Sequence, residues 1–542
     1  MAEFNLIPHP STLKSKGGYF CLDEDTRLCP DSANQTNAEY LQRLLQPSTG
    51  FPLEIDPHPP SKEDTIYLTI RDDLENLGEE GYQLIVTPEG ARLQAHTPAG
   101  IFYAIQTLRQ LLPAEIEAPI PVCGMVWQIP CVEIEDIPRY PWRGYMLDEA
   151  RHFQGIDTVK KLLDLMALFK LNRFHWHLTD DQGWRIEIRQ YPRLTEIGGQ
   201  RAGTVVGNPY LSQKHNQIPH QGFYTQDQIQ EVVAYARERQ IMVIPEIEIP
   251  GHSTAALAAY PQFSCTGGPF EVITGWGIFP EIYCAGKPET YEFLRNILAE
   301  VIELFPAPYI HIGGDEAPKK RWKACPDCQL KITQENLPDE EALQVHMVNQ
   351  IAEFLRQHEK RMIFWSDSFA PEIDPDAIVH YWVGNRERVL ESVAQGREVI
   401  NSTYLYTYLD QTYTTIPLKR SYQFEPGFPS LPEEAEDRVL GFEGLMWGEW
   451  LPNYRRVEYQ TFPRLAALSE SGWREEQRSY QDFNRRLEVM QERLDRLDVG
   501  YAPANKSNPA AWKKFLAPLD ILRPKRGIAR PVEKNDGISE PG

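Results

Sequence analysis

Apolar residues follow two patterns along the chain, and the pattern changes near residue 138. After that point, short β-branched and aromatic runs alternate with segments whose apolar residues recur at helical spacing. The strand-like runs cover residues 143–150, 173–180, 241–250, 309–316, 361–368, 377–383, 398–406 and 441–450. The clearest helical segments cover residues 157–170, 225–240, 289–305 and 340–357. Eight strands with interleaved helices predict an α/β fold, a (β/α)8 TIM barrel with insertions. One link departs from this pattern, because the residues between the fifth and sixth runs are too few for a normal helix.

The residues before the barrel have a different organisation. Strand-like runs at 65–70, 82–88 and 91–97 are followed by a helical segment at 99–113. This part predicts a small α+β accessory domain whose role is packing, because its sequence offers no chemical motif. We therefore divide the chain into the accessory domain (1–137), the barrel domain (138–500) and a partly flexible C-terminal tail (501–542).

Composition and charge narrow the class of protein. The chain has 542 residues, of which 42% are hydrophobic and 24% charged, as in soluble globular proteins. Its formal net charge of −22 argues against nucleic acid or an anionic membrane as a partner. No apolar run approaches the ~20 residues of a membrane span. The first twenty residues lack a charged segment followed by an apolar one, so we expect a cytoplasmic protein, unless a leader has been removed.

The cysteines do not predict a metal site. Only Cys325 and Cys328 form a C-x-x-C pair, and a structural zinc ion normally needs four ligands. No second pair at matching spacing is evident among the eight cysteines. We therefore expect no metal, and an inert or redox-labile surface loop at this pair.

Chemically suitable residues gather at the ends of the predicted barrel strands, where active sites of such barrels lie. The set is rich in carboxylates and tryptophan: Asp148, Arg151, Asp180, Glu246, His252, Asp315, Glu316, Trp365, Asp367, Trp382, Tyr408, Asp410, Trp447 and Glu449. Tryptophan faces stack on sugar rings, while carboxylates and arginine bind hydroxyl groups, so this mixture suits a sugar site. No glycine-rich phosphate loop or serine elbow is present. A single barrel tryptophan is more often core than ligand wall, and we expect His175 to be a core residue. The convergence of the set is what favours a site.

Within this set, Asp315 and Glu316 stand side by side after Gly313 and Gly314. Adjacent strand residues point to opposite faces, so we expect the two glycines to bend the backbone and bring both carboxylates to one ligand. Neighbouring like charges usually raise at least one pKa.

The motifs RGYMLDEARHF, NRFHWHLTDDQGWRIEI, PEIEIPGH, YIHIGGDEAPKKRW, WSDS, YLD and LMWGEW together resemble glycoside hydrolase family 20, the β-N-acetylhexosaminidases, from residue 138 to about 473. The accessory domain also resembles one common in that family. The resemblance implies a retaining exo-hydrolase that removes terminal β-linked N-acetylglucosamine, and N-acetylgalactosamine, from oligosaccharides or glycoconjugates without a cofactor. It implies that Glu316 is the general acid/base and that Asp315 holds the 2-acetamido group, whose oxygen attacks the anomeric carbon to form an oxazolinium ion.

The resemblance also implies roles for the surrounding residues. Arg151, Glu449 and Asp410 would bind hydroxyls, and Tyr408 would donate to the acetamide oxygen. Trp365, Trp382 and Trp447 would form aromatic walls, and Asp180 and His252 would support Glu316. The role of Asp367 stays open, because WSDS departs from the usual family pattern. Some relatives have a disulfide near Cys265 and Cys284, which a reducing cytoplasm would keep as thiols.

Two alternatives stay open at this point. One is a retaining glycosidase or transglycosidase with an enzyme carboxylate as nucleophile, for which Glu246 is a candidate. The other is a sugar-binding protein without catalysis, which would be expected to lose Asp315 or Glu316. The preferred epimer, the length of the released sugar, the physiological substrate and the oligomeric state are not determined by the sequence.

Overall fold

The amino-terminal part of the chain forms a six-stranded mixed sheet. The computed structural model describes residues 4–59, 63–206, 214–474 and 479–510. The strands of the sheet are β1 (Thr12–Leu22), β2 (Arg27–Pro30), β3 (Thr65–Ile70), β4 (Tyr82–Thr87), β5 (Gly90–Ala95) and β6 (Trp127–Asp136), in the order β1-β6-β4-β5-β3-β2. Two helices, α1 (Gln35–Thr49) and α2 (Pro98–Leu111), pack on this sheet. The predicted strands and helix are confirmed. The sequence pattern missed β1 and β2, which are the edges of the sheet; β1 is largely exposed and therefore shows no apolar alternation.

A closed parallel barrel follows, as predicted. Its strands are β7 (Trp142–Asp148), β8 (Arg173–His177), β9 (Met242–Glu246), β10 (Tyr309–His311), β11 (Arg361–Trp365), β12 (Ile378–Tyr381), β13 (Val399–Asn401) and β14 (Val439–Met446). Each strand pairs with its neighbours in chain order, and β14 closes on β7. All eight strands are shorter than the sequence pattern predicts, and β10 and β13 have only three residues each. After β10 the backbone turns at two glycines, and after β13 it forms a helical turn, Tyr404–Thr407.

Helices surround most of the barrel, and half of them start with a side-chain cap. They are α3 (Ile156–Leu168), α4 (Gln226–Arg237), α5 (Thr254–Ala259), α6 (Pro288–Leu304), α7 (Pro326–Gln334), α8 (Glu340–Gln357), α9 (Arg386–Ala394), α10 (Tyr454–Thr461), α11 (Arg464–Trp473) and α12 (Tyr480–Arg496). Thr225 and Gln228 form a capping box at α4, and the Asp339 side chain caps α8. Between β11 and β12 the chain forms only a 3-10 turn, Ser366–Ser368, so the predicted short link is present.

Shorter elements fill the connections. Helical turns occur at Arg193–Glu196, Lys320–Ala324, Leu418–Tyr422 and Ala504–Ser507, and 3-10 turns at Asp72–Leu77, Ala114–Glu117, Pro261–Phe263 and Glu433–Arg438. Two-residue ladders pair Thr179–Asp180 with Gly183–Trp184, Gln200–Arg201 with His220–Gln221, and Val205–Val206 with Lys214–His215. Among the described residues, none of the helices combines the length and apolar character that a membrane span requires. The tail segment 523–542, predicted to be flexible, lies outside the described residues.

The barrel interior is apolar at one level and polar at the next. Trp142, Ile244, Ile363, Ile378 and Ile400 fill the first level. Above them lies a buried polar layer, which we define as His175, Glu246, His311, His380 and Glu443. Nδ1 of His175 forms a hydrogen bond with Glu443 (2.8 Å), and its Nε2 lies 2.9 Å from the Glu246 carboxylate. Burial disfavours the charged ring, but these two carboxylates outweigh it and raise the pKa of His175 to about 10. His175 is thus a core residue, as expected.

A buried ion pair joins the accessory domain to the barrel. The Lys170 ammonium donates to Asp136 at the end of β6 (3.0 Å) and to the Tyr82 hydroxyl (2.8 Å). The lysine and aspartate side chains are at most 1% exposed. Burial opposes ionisation of Asp136, yet Lys170 and the Tyr82 hydroxyl lower its pKa below the usual value. The interface therefore depends on a compensated charge as well as on apolar contact.

We predict that Lys170→Met lowers the free energy of unfolding by about 3–5 kcal/mol, because it leaves the buried Asp136 carboxylate without its cation. Urea unfolding measures this change. Lys331→Met is the control, since it removes an exposed partner of Glu335 and should cost less than ~0.5 kcal/mol. Equal stability of the two variants would contradict the interface assignment.

Candidate active site

The connections after the barrel strands bring the predicted site residues together. Arg151, which follows β7, is the centre of one network and is only 7% exposed. Its guanidinium donates to Asp148 (3.0 Å) and to the Gln182 side chain (3.0 Å) and forms an ion pair with Asp180 (2.6 Å), and it lies over the Trp447 ring at 5.3 Å. Although burial opposes the charge, the two aspartates raise the pKa of Arg151 well above its usual value. Arg151 is therefore a fixed cation at the barrel mouth.

His252 connects this network to the carboxylate pair. Its Nδ1 lies 3.2 Å from Asp180 and 3.1 Å from Asp181, while its Nε2 lies 3.7 Å from Glu316 and 3.8 Å from Asp315. Burial disfavours the imidazolium, but Asp180 and the hydrogen-bonded carboxylates raise the pKa of His252 well above its usual value. A positive charge thus stands between the predicted supporting aspartate and the predicted acid.

The backbone bend after β10 is present at the predicted glycines. Gly313 has φ 62° and Gly314 has φ 94°, and Glu316 itself is in the left-handed region at φ 45°. A Cβ on Gly313 would lie 1.8 Å from the Glu248 carboxylate, so the position needs glycine for space as well as for conformation. The bend turns both carboxylates of the pair toward His252. The Asp315 side chain is 11% exposed and that of Glu316 35% exposed.

The surroundings of Asp315 are more acidic than the sequence indicates. Burial raises the pKa of Asp315 well above its usual value, and Asp367, Glu246 and Glu316 add to this effect against the opposing charge of His252. The sequence argument considered only the neighbouring residue of the pair, whereas the fold collects several buried carboxylates around Asp315. The role that the family resemblance implies for Asp315 needs its carboxylate form while the acetamide is positively charged.

Four aromatic residues face one another at the same end of the barrel. Trp365 is buried, and its ring lies 5.7 Å from that of Trp447. Trp382 stacks near Tyr408 at 5.9 Å, and Tyr408 lies 6.3 Å from Trp447. Burial raises the pKa of Tyr408, and the charges of Asp410 and Asp315 add to this shift, while Arg151 contacts Trp447. The arrangement suits the faces and edges of a sugar ring.

Asp367, whose role the sequence left open, holds two site residues in place. One carboxylate oxygen accepts the backbone N–H of Glu316 (3.1 Å), and the other accepts Nε1 of Trp382 (3.0 Å). Asp367 is thus a positioning residue for the predicted acid and one aromatic wall.

The two remaining predicted sugar ligands are also at the rim. Burial raises the pKa of Glu449, and the positive charge of Arg151 opposes this shift. The two side chains therefore interact electrostatically. Asp410 is 4% exposed and accepts from the Gln411 side chain at 2.7 Å.

Glu246 is not positioned as a nucleophile. It belongs to the buried polar layer, is fully buried and accepts Nε1 of Trp365 (2.7 Å), and its oxygens lie 2.9 Å from Nε2 of His175 and 3.0 Å from Nδ1 of His311. Burial opposes its charge, but three histidines lower the pKa of Glu246 well below its usual value. Its carboxylate supports the Trp365 wall from below and is separated from ligand by that ring.

Sequence reasoning missed three residues of the site. Gln182 and Asp181 hold Arg151 and His252, and Glu248 lies against Gly313 near Asp315. Burial and Asp315 raise the pKa of Glu248 well above its usual value, which favours its neutral form. The motifs quoted above contain all three residues. Asp181 and Gln182 directly follow Asp180, and Glu248 is two positions after Glu246, on the same side of the strand. Spacing along the strand end could have identified them.

The expectation for the cysteines is corrected by the structure. Cys325 and Cys328 are buried at the start of α7, not in a surface loop, and Cys265 and Cys284 lie beside them. The second pair was missed because its members are 19 positions apart in sequence and meet the first pair only through the fold. This group is separate from the carboxylates and aromatics described above.

Comparisons with known proteins agree on a family. The model for glycosyl hydrolase family 20, catalytic domain, matches residues 140–476, and that for domain 2 of the same family matches residues 3–137. A beta-hexosaminidase of Porphyromonas gingivalis is 37% identical over 543 residues, covering 98% of this chain and 68% of that protein.

Two solved structures of the family are also similar. One is the exo beta-N-acetylglucosaminidase of Vibrio harveyi in complex with N-acetylglucosamine, with a TM-score of 0.80 and 32% identity over 92% of this chain and 78% of that chain. The other is the beta-N-acetylhexosaminidase of Streptomyces coelicolor, with a TM-score of 0.81 and 31% identity over 93% of this chain and 98% of that chain.

We predict that Glu246→Gln lowers the free energy of unfolding by about 3 kcal/mol or more, because the buried imidazolium of His175 loses one of its two anions. Thermal and urea unfolding measure the loss. Glu303→Gln, at an exposed position of α6, is the matched control and should change stability by less than ~0.5 kcal/mol. A Glu246→Gln protein as stable as the control would contradict the structural role and return Glu246 to the candidates for nucleophile.

Proposed function

The chain belongs to glycoside hydrolase family 20 and acts as an exo-β-N-acetylhexosaminidase, and we propose that Asp315 and Glu316 carry out its reaction on terminal β-linked N-acetylhexosamine. One observation carries the assignment of these residues. Oδ1 of Asp315 is buried and has no hydrogen-bond partner among the described residues, although the same carboxyl lies beside Glu316 and His252. A buried acceptor without a partner is costly, and the N–H of a 2-acetamido group would satisfy it.

The first chemical step would form a ring within the substrate. The acetamide carbonyl oxygen attacks the anomeric carbon while Glu316 gives its proton to the glycosidic oxygen, and the bond between that oxygen and the anomeric carbon breaks. The aglycone leaves as an alcohol, and the sugar becomes an oxazolinium ion. Because the nucleophile belongs to the substrate, no enzyme carboxylate has to bond to the sugar.

The second step reverses these roles. The Glu316 carboxylate takes a proton from water, and the water oxygen attacks the anomeric carbon from the side that the aglycone left. The bond to the acetamide oxygen breaks, so the released sugar keeps the β configuration. Glu316 is protonated again and ready for the next substrate.

Asp315 would change its charge during this cycle. Burial raises its pKa, whereas the developing positive charge on the acetamide favours the carboxylate, so any proton that Asp315 holds is released to solvent as the substrate binds. An ionised Asp315 then accepts the acetamide N–H and stabilises the cation in a site that contains little water. The His252 imidazolium lies close to both Asp315 and Glu316 and compensates negative charge on either carboxylate.

The remaining residues would recognise the sugar. Trp365, Trp382 and Trp447 form the walls, and the Tyr408 hydroxyl donates to the acetamide oxygen and directs it toward the anomeric carbon. Arg151, Glu449 and Asp410 bind hydroxyls at the rim.

We further propose that the physiological substrates are oligosaccharides or glycoconjugates ending in N-acetylglucosamine or N-acetylgalactosamine. The cytoplasmic location and the exclusion of nucleic-acid and membrane partners stay predictions of the sequence.

We predict that 4-nitrophenyl β-N-acetylglucosaminide is hydrolysed at least about 10³-fold faster than the matching β-glucoside, because only the first substrate carries its own nucleophile in a fixed position. Initial rates of nitrophenol release at equal concentrations give the ratio.

Asp315→Asn should lose about 10²–10³-fold in kcat on the acetamido substrate, since the neutral amide cannot stabilise the cation. Comparable wild-type rates on both sugars would contradict substrate assistance, and normal turnover by Asp315→Asn would remove its assigned role.

We predict that Glu316→Gln lowers kcat on a β-linked N-acetylglucosamine disaccharide by about 10²–10⁴-fold, because the leaving alcohol is no longer protonated. An aryl glycoside with a good leaving group needs less proton donation, so its first step should be affected less. Burst kinetics on the aryl substrate separate this step from the second, which also needs Glu316. Equal losses in the first step for both substrates would show that Glu316 is not the acid.

A further inference from the structure

Four cysteines from distant parts of the chain meet outside the sugar site. Cys265 follows the 3-10 turn Pro261–Phe263, and Cys284 shortly precedes α6. Cys325 is the N-cap residue of α7, and Cys328 lies in its first turn. Cys284, Cys325 and Cys328 are at most 3% exposed, and Cys265 is partly exposed. We call these four residues the cysteine cluster.

The sulfur positions match the corners of a tetrahedron. The Sγ–Sγ distances are 3.8 Å between Cys265 and Cys328, 3.7 Å between Cys284 and Cys325, and 3.6 Å between Cys284 and Cys328. All four sulfur atoms lie within 4.8 Å of one another. A zinc–sulfur bond of about 2.3 Å gives a tetrahedral edge of about 3.8 Å. Four thiolates at these separations therefore leave a centre that one metal ion fits.

The backbone around the cysteine cluster is fixed before any ligand is considered. Ser264 and Tyr283 form an antiparallel bridge, and the N–H of Cys284 donates to the carbonyl of Phe263 (2.8 Å), so the first two cysteines are held side by side. A Cβ on Gly286 would lie 2.2 Å from the backbone of Asp327, so only glycine lets this strand cross the start of α7. Cys325 and Cys328 are thereby placed opposite Cys284 by packing.

The surroundings favour thiolates with a cation over four neutral thiols. Cys325 and Cys328 lie at the amino-terminal end of α7, and this end of a helix stabilises nearby negative charge. The Lys287 ammonium donates to the carbonyls of Gln262 (2.8 Å) and Ser264 (2.7 Å), which adds positive charge next to Cys265. Buried thiolates still need a compensating ion, and an all-sulfur tetrahedral set is selective for soft metals such as zinc.

We propose that Cys265, Cys284, Cys325 and Cys328 bind one structural zinc ion. The four thiols lose their protons to solvent and coordinate Zn²⁺, so no oxidant or reductant takes part. All four positions are occupied by protein sulfur, which makes the site closed and non-catalytic. Nothing in the proposed hydrolytic reaction depends on the metal directly.

The zinc ion would join two connections that carry active-site residues. Cys265 and Cys284 belong to the connection after β9, which begins with His252, while Cys325 and Cys328 follow Glu316 in the connection after β10. Other contacts span the same junction: Nε1 of Trp322 donates to the carbonyl of Tyr283 (2.9 Å), and Arg321 pairs with Glu281. The metal would thus fix the distance between the connection of His252 and that of Glu316.

The proposed zinc ion would also close the loop between Cys265 and Cys284. This loop carries Trp276, whose ring lies 5.7 Å from that of His152 and 6.0 Å from that of Trp450. His152 is next to Arg151 in the sequence, so the loop reaches the rim of the sugar site. Loss of the metal would loosen this rim as well as the junction.

Metal analysis of the full-length protein tests the proposal. The protein is purified under reducing conditions from a zinc-supplemented culture, without an affinity metal, and its metals are measured by inductively coupled plasma mass spectrometry. We expect about one zinc ion per chain in the wild type and in Cys123→Ser, which changes an exposed cysteine of the accessory domain. Cys284→Ser should lose at least about 90% of the zinc and unfold at a lower temperature.

A second measurement avoids the risk that Cys284→Ser fails to fold. The native wild type is treated with an organomercurial reagent in the presence of a zinc-sensitive dye, and labelled cysteines are identified by mass spectrometry. Zinc release in step with modification of the four cluster cysteines supports the site. A wild type without zinc that also fails to take up added Zn²⁺ after reduction would overturn the proposal. Disulfides within the cluster under reducing purification, or iron in place of zinc, would equally overturn it.

Discussion

The rest of the site depends on how negative charge is compensated at one end of the barrel. The fold buries many carboxylates there, among them Asp148, Asp180, Glu246, Glu248 and Asp315. A buried carboxylate is tolerated only when a cation, a proton or several hydrogen bonds accompany it. Arg151, His175 and His252 supply the cations. The raised pKa values of Glu248 and Asp315 favour the neutral carboxyl, which reduces the negative charge that needs a cation.

This compensation also determines which carboxylates are available for chemistry. Glu246 accepts Nε1 of Trp365 and lies within 3.0 Å of two histidines that lower its pKa, so it is part of the scaffold. Asp315 differs, because burial and neighbouring carboxylates raise its pKa, and one of its oxygens has no hydrogen-bond partner among the described residues. A ligand that brings an N–H and a positive charge compensates for both. Asp315 is thus suited to binding an oxazolinium ion.

The same contacts make the site rigid. Trp365 rests on Glu246, Trp382 and the Glu316 backbone are held by Asp367, and Arg151 is held by three acceptors. Each recognition residue is therefore supported by a second residue that does not need to contact sugar, as preorganised sites require. The cysteine cluster extends this support to the two connections that hold His252 and Glu316.

The sequence by itself determined the barrel, the strand-end residues and the acidic pair. Period-two and helical patterns are local, and the family motifs fix which residues follow each strand, so Asp315, Glu316, Arg151 and the tryptophans could be identified without coordinates. Edge strands β1 and β2 could not, because β1 is largely exposed and β2 has only four residues, so neither shows an apolar pattern. The tail after residue 510 lies beyond the described residues, so its predicted flexibility is not addressed.

Only the tertiary structure decided which groups share an environment. The raised pKa of Asp315, the support role of Asp367 and the burial of Glu246 depend on residues more than 50 positions apart, and electrostatic energies depend on distance in space. The cysteine cluster is the clearest example. Its C-x-x-C pair is visible in the sequence, but the two partners are brought to it by a bridge after β9 and a glycine that permits close backbone contact, and neither leaves a recognisable spacing.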